Sequence, residues 1–297
     1  MHADLPGSSS DSSGSVSGPW YRELTRYHWF VFVVAALGWL FDTMDQQLFT
    51  LARPLAMKDL VSLTSEEIEE ARSAGAAAGE SDEALEKRVK DSQASKQAKY
   101  GGYATSFFLI GWATGGLFFG VLGDRWGRVR TMLVTIVMYS IFTGLSAFSR
   151  NFWDFSILRF LTGLGVGGEF AVGVALVAEV MPSRARPHAL GLLQALSAVG
   201  NITAALIGMA GTDWKVMFLI GTAPALLSLL VRSRLREPER WQAVSATDGV
   251  SRQLGSYSEL FGDPQLRYRA LVGLLLACAG VIGLWGIGFF ATDLQRR

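Results

Sequence analysis

Hydrophobic residues in this chain fall into seven long blocks separated by short polar stretches. The blocks lie at about 28–51, 102–122, 131–149, 153–180, 188–211, 214–232 and 268–291. An α-helix rises about 1.5 Å per residue, so about 20 apolar residues cross a hydrocarbon layer about 30 Å thick. The pattern therefore predicts an all-α membrane protein with six spanning helices over 28–232 and a seventh at 268–291. The first 27 residues begin with a Ser/Gly-rich run and carry no apolar stretch, which reads as a disordered tail. Residues 233–267 read as a long central loop, and 268–297 as helix 7, the start of a second, incomplete half.

Basic residues near the helix ends set the orientation. Arg125, Arg128 and Arg130 stand between blocks 2 and 3, and Arg184 and Arg186 between blocks 4 and 5. Arg232, Arg234, Arg236, Arg240, Arg252, Arg267 and Arg269 stand between blocks 6 and 7, whereas Arg150 and Lys215 are alone in the intervening loops. With Arg22 and Arg26 before block 1, this predicts a cytoplasmic N-terminus in a multi-pass protein of the cell membrane. Residues 58–100 then lie outside. They are acidic and Ala-rich at helical spacing, and Thr64 with Glu67 matches a capping box, so a soluble helical insertion is expected. The chain stops at Arg297 with Arg296 beside it, on the side that should be poor in basic charge. The polypeptide thus reads as a little over half of a larger architecture.

Composition narrows the function classes. Half of the 297 residues are hydrophobic, 18% are charged, and the mean hydropathy is +0.28. An average soluble domain carries about 25% charged residues. The net charge of +1 offers no footprint for nucleic acid. Cys278 is the single cysteine, and His2, His28 and His188 are scattered, so neither a disulfide framework nor a metal-ligand spacing is present in the sequence. No Ser–His constellation lies in the spans, which argues against an intramembrane enzyme.

Ionisable residues within spanning helices are costly and are functional candidates by default. Block 1 contains Asp42, Asp45, Gln46 and Gln47; block 4 contains Arg159, Glu169 and, near its inner end, Glu179. Asp42 and Asp45 are three apart and share a helix face. Asp45 and Arg159 each lie about 9 Å from an outer helix end. At matched depth they can form a static ion pair, or a pair that competes with a proton on Asp42 or Asp45 or with an anionic substrate on Arg159. Gln46 and Gln47 suit substrate hydroxyls or polar packing. Gly163, Gly165, Gly167 and Gly168 let another backbone or a substrate approach block 4 closely. After block 2, Gly120, Gly123 and Gly127 accompany Asp124, Arg125, Arg128 and Arg130, which suggests a charge lock on the cytoplasmic side.

These residues resemble the major facilitator superfamily. Gly120, Asp124, Arg125, Gly127 and Arg128 are similar to its signature between helices 2 and 3, with Val129 at a position often basic and Arg130 after it. Arg159, Gly163 and Gly165 resemble the helix 4 signature, whose arginine is associated with proton coupling. Glu179, Pro182 and Arg186 resemble the pattern at the helix 4–5 loop, with Pro187 where glycine is frequent. Arg236 to Trp241, REPERW, resembles the element after helix 6 in degraded form. The stretches GWLFDTMDQQLF and GVGGEF favour the branch of sialate, aromatic-acid and other organic-acid proton symporters.

The resemblance implies two six-helix halves with a substrate site between them. It implies proton-coupled symport of a small organic anion by alternating access, with no cofactor beyond the proton gradient. A sugar porter or facilitator and a non-transporting half-transporter are the alternatives. The expected partners are a small-molecule substrate and the lipid bilayer, not nucleic acid. Oligomeric state is not readable from the sequence.

Overall fold

The computed structural model describes residues 19–223, 237–238, 241–243 and 255–295. The tail through residue 18, the end of block 6 from 224 and most of the central loop lie outside them. The helices are α1 (Arg26–Leu60), α2 (Ser65–Ala77), α3 (Asp82–Trp126), α4 (Arg128–Ser146), α5 (Phe152–Val180), α6 (Arg186–Met209) and α7 (Trp214–Ile220). After the central loop come α8 (Tyr257–Gly262) and α9 (Pro264–Gln295). Among the described residues, α1, α3, α4, α5 and α6 are long and apolar enough to cross a membrane.

Two element boundaries depart from the hydrophobic pattern. Helix α1 continues nine residues past its apolar block to Leu60, and α3 begins at Asp82, twenty residues before its block. Residues 58–100 are thus largely helical, and continuous with α1 and α3. Their first residues finish α1, α2 forms the return, and the rest is the leading part of a 45-residue helix. Local capping explains the starts. The Thr64 hydroxyl accepts from the Glu67 amide at 3.3 Å, and Glu67 Oε2 accepts from the Thr64 amide at 2.7 Å. The Ser81 hydroxyl caps α3 by accepting from the Ala84 amide.

The resulting hairpin is fastened by side chains. Gln93 donates to the Val61 carbonyl and accepts from the Leu63 amide, both at 2.7 Å. Lys96 pairs with Glu67 at 2.5 Å, and Arg88 pairs with Glu80. The Lys96 ammonium holds the Glu67 carboxyl below its ordinary range, and Arg88 does the same for Glu80.

Packing within the bundle is set by glycine. Gly111 and Gly115 of α3 face the Phe160 and Leu164 carbonyls of α5; in return Gly163 and Gly167 of α5 face the Phe108 and Trp112 carbonyls of α3. A Cβ at any of the four would strike backbone, so the two helices pack main chain to main chain. On the other side of α5, Gly165 lies against Tyr139 and Thr135 of α4. Gly200 of α6 lies against the Leu40 carbonyl and Thr43 of α1. Phe49, Phe108, Phe155 and Phe218 fill one end of the core, and Val31, Met132, Ile136 and Leu176 the other.

Aromatic rings mark both ends of the bundle. At the hairpin face Tyr100 and Tyr103 lie under Lys96 and Lys99, and Phe107 meets Trp153 edge-on. At the N-terminal face Tyr21, Tyr27, Trp29 and Trp126 are exposed. There, a short 3₁₀ turn (Trp20–Glu23) straps the chain to the α5–α6 loop: Trp20 stacks on His188, and Glu23 pairs with Arg184 at 3.1 Å. His28 completes the cap of α1, its Nδ1 accepting from the Thr25 amide.

Candidate functional site

Two polar clusters interrupt this apolar bundle, one in the middle and one at the N-terminal face. The central cluster is built on Arg159 of α5, which is fully buried. Its Nη2 donates to Ser146 Oγ at 2.6 Å, Thr162 Oγ1 at 3.1 Å and the Phe142 carbonyl at 3.3 Å, and Nε donates to Ser146 at 3.1 Å. Nη1 points to Asp45 Oδ2 of α1, 4.0 Å away. Phe218, Phe49 and Phe155 enclose the guanidinium, with ring centroids at 4.5, 5.7 and 5.8 Å. The rings strip water from the cation while their faces attract it.

Asp45 is as buried as its partner, and neither of its oxygens accepts a hydrogen bond from any described residue. Thr143 and Gly221 lie next to it. Asp42, one turn earlier on α1, does not join the arginine. It faces Glu169 of α5 and Tyr139 of α4 instead, and its oxygens also lack donors. Gly38 makes room for the Glu169 carboxylate, which a Cβ there would meet. The two aspartates thus share a helix face but belong to different neighbourhoods. Gln46 is buried, with both polar atoms unpartnered among the described residues, whereas Gln47 is half-buried.

The second cluster forms at the α3–α4 turn. Gly127 adopts φ +116°, which breaks the helix between Trp126 and Arg128. Arg128 then pairs with Asp124 Oδ1 at 2.5 Å and with Glu179 Oε1 of α5 at 2.8 Å. Glu237 reaches in from the central loop, accepting from the amides of Val129 and Arg130 at 3.2 Å each. It thereby caps the start of α4. Trp241 Nε1 donates to the Asp124 carbonyl at 2.7 Å and caps the end of α3.

Arg125 and Arg130 stand outside the lock. Arg125 Nη2 donates to the Gly255 carbonyl at 3.5 Å, and Arg130 is an exposed side chain. Gly120 faces open space. The Pro182 carbonyl accepts from the Arg186 amide at 2.9 Å, and Arg186 itself reaches the Met181 carbonyl at 3.5 Å. Pro187 occupies the first turn of α6, where a missing amide costs nothing.

Glu237 and Trp241 lie within the REPERW stretch, yet sequence reasoning assigned them no site role. Tyr139, Ser146 and Thr162 carry no local signal. Arg53, just beyond the apolar block, is a further buried cation, donating to Thr105 of α3 at 2.7 Å. A helix-length reading of α1 through Pro54 would have found it.

With the geometry in place, the family can be read. The model of the Major Facilitator Superfamily matches residues 35–296. The chain belongs to this superfamily. It is 36% identical over 204 residues to a putative metabolite transport protein of Haemophilus influenzae, covering 66% of this chain and 50% of that protein. It is 37% identical over 144 residues to the cis,cis-muconate transport protein of Acinetobacter baylyi, covering 48% of this chain and 35% of that one. Among solved structures, the proton:xylose symporter XylE superposes with a TM-score of 0.58 at 19% identity, over 76% of this chain and 48% of that one. That likeness shows a shared superfamily fold. The chain spans about half the length of the first of these relatives.

Proposed function

We propose that this chain carries the N-terminal half of a secondary transporter that moves a small organic carboxylate together with protons across the cell membrane. The observation that carries the proposal is the pairing of a fully buried guanidinium with a buried carboxylate beside Thr143 whose oxygens meet the hydrogen-bond criterion with no described residue. An ionised carboxylate in such a place is tolerated only when a cation or a proton neutralises it. Asp45 has both choices. While Arg159 pairs with Asp45, the carboxylate needs no proton. When a substrate carboxylate takes the guanidinium, Asp45 must accept one. Substrate and proton binding are thereby linked. Asp42 with Glu169 forms a neighbouring carboxyl pair through which the proton reaches Asp45.

At the N-terminal face, read as cytoplasmic from the arginine distribution, Asp124, Arg128 and Glu179 act as the lock that opens and closes the inner side. Gly120, Arg125, Arg130, Pro182 and Arg186 shape its surroundings. The substrate class rests on the muconate relative, whose name describes a dicarboxylate.

The test is uptake into proteoliposomes of labelled cis,cis-muconate, benzoate, sialate and xylose, with and without an imposed pH gradient. Gradient-driven accumulation of a carboxylate is expected. Asp45→Asn is expected to abolish accumulation while sparing counterflow exchange, and Arg159→Gln to abolish both. Accumulation by Asp45→Asn equal to wild type would refute the coupling role. Uptake of xylose alone would refute the carboxylate assignment, and no uptake by this chain would leave it a binding module only.

A further inference from the structure

The cluster at Arg159 is closed to solvent in this conformation. We propose that the cavity at the hairpin face between α1, α6 and α7 is a loading site for a small carboxylate with an apolar body. The cavity holds about 670 Å³. Binding sites for small molecules generally fall between about 300 and 1,000 Å³. Leu51 and Leu55 of α1, Gly208 and Met209 of α6 and Met217 of α7 supply apolar walls, and Lys58 stands over them. Lys58 is the charged side chain among the described lining residues, and it is exposed.

Charge and shape both point to an anion with a hydrophobic end. The groups that face this region from its walls leave the lysine uncompensated. Asp59, the next residue of α1, is engaged by Trp214 Nε1 at 2.7 Å. Asp213 caps α7, accepting from the Lys215 amide at 2.7 Å. No acidic side chain lines the cavity among the described residues. Lys58 lies five residues beyond Arg53, a second cation, which is buried behind the wall against Thr105.

The site and the centre share α1. Lys58, Pro54, Leu51 and Gln47 are spaced 4, 7 and 11 residues apart along one stripe of α1. The stripe spans about 16 Å of helix axis from Lys58 to Gln47. There it reaches the level of Gln46 and Asp45. The next polar group along the stripe is Gln47; Arg159, paired with Asp45 two residues earlier, faces the opposite side of α1.

This inference rests on the carboxylate reading above, and the experiment separates the two. Equilibrium binding of labelled benzoate and cis,cis-muconate is measured on the whole chain in nanodiscs of zwitterionic lipid. Lys58→Gln is expected to weaken binding about two- to fivefold, the range for an exposed charge contact. Lys58→Arg should retain binding, and Leu51→Trp should lower it by filling the cavity. Raising salt should weaken the wild type and leave Lys58→Gln unmoved.

Unchanged affinity in Lys58→Gln, with loss in Arg159→Gln, would overturn the loading site and leave the carboxylate reading standing. No binding of either probe by the wild type would overturn both. Full displacement of benzoate by added phosphatidylglycerol would overturn the assignment in favour of a lipid headgroup.

Discussion

Deleting the cation at the centre of the bundle gives the sharpest energetic test. At the observed 4.0 Å, two unit charges interact by about 4 kcal/mol at an effective dielectric near 20. Arg159→Met removes that attraction and leaves Asp45 buried without a donor, a change that costs about 3–5 kcal/mol. Asp45→Asn removes the same attraction but leaves Arg159 its hydrogen bonds to Ser146, Thr162 and Phe142 and its three phenyl rings. Even so, the guanidinium stays charged and buried with Nη1 unpartnered among the described residues, so this change also costs about 3–5 kcal/mol. In the double variant the uncompensated aspartate is gone, so the loss should fall short of the sum by about 2–4 kcal/mol.

The assay is reversible unfolding in mixed detergent micelles at pH 8, followed by tryptophan fluorescence. A coupling energy below about 0.5 kcal/mol would mean the two groups do not sense each other. Proton and substrate binding would then not be linked through this pair.

Other perturbations address the frame around that pair. Gly115→Ala and Gly163→Ala each drive a methyl into the backbone of the facing helix and should cost about 1–3 kcal/mol, whereas Gly102→Ala meets open space and should stay within about 0.5 kcal/mol; thermal denaturation midpoints would rank them. Glu237→Ala strips the acceptor from the Val129 and Arg130 amides and should destabilise the start of α4 by about 0.5–2 kcal/mol, read as faster hydrogen exchange at those two amides. The Glu67 and Glu80 carboxyls are depressed by Lys96 and Arg88, so their contribution to hairpin stability is full above the unfolded value near about 4.3 and is lost as pH falls through the lower folded values. Hydrogen exchange over 65–100 should rise in that window in the wild type and not in the Glu67→Gln/Glu80→Gln double variant.

How far the sequence reaches differs from element to element. Apolar runs located α1, α3, α4, α5 and α6, the helices long and apolar enough to cross a membrane among the described residues, but they misplaced the outer end of α1 and the start of α3. Hydropathy falls at Ala52 and rises at Gly102, yet helix formation does not require apolar residues. The 82–100 stretch is rich in Ala, Glu, Lys and Gln, all strong helix formers, so the rod continues into water. The Thr64–Glu67 cap was legible because its chemistry is local.

Depth counting brought Asp45 and Arg159 to the same level, and the structure brings them within 4.0 Å. It could not reveal that Asp42 turns to Glu169, since that depends on how α4 and α5 rotate. The lock was legible in Asp124 and Arg128 alone. Glu179 lies 51 residues from Arg128, and Glu237 lies 108 from Val129; contacts at such separations come from the fold. The α3 glycines 111 and 115 had a readable spacing of four, matching 163 and 167, but their mutual packing needs both helices at once.

Both polar clusters fasten the same two helices. Arg159 of α5 is tied to Phe142 and Ser146 near one end of α4, and Glu179 of α5 is tied to Arg128 at the other end. The tie points are twenty residues apart on α5, about 30 Å. Between them Gly165 seats α5 directly on the Thr135 carbonyl and the Tyr139 backbone, so the antiparallel pair has no slack along its length. Sliding α5 against α4 must release one end or the other. The ends are not equal. Arg159 and Asp45 are wholly enclosed, so release there exposes charge to hydrocarbon unless a proton or a substrate anion compensates. Arg128 and Glu179 keep 13% and 27% of their side-chain surface in solvent, so water reaches their contact more easily than it reaches the central pair. The Arg128–Glu179 contact at the N-terminal face is therefore the end that yields more readily.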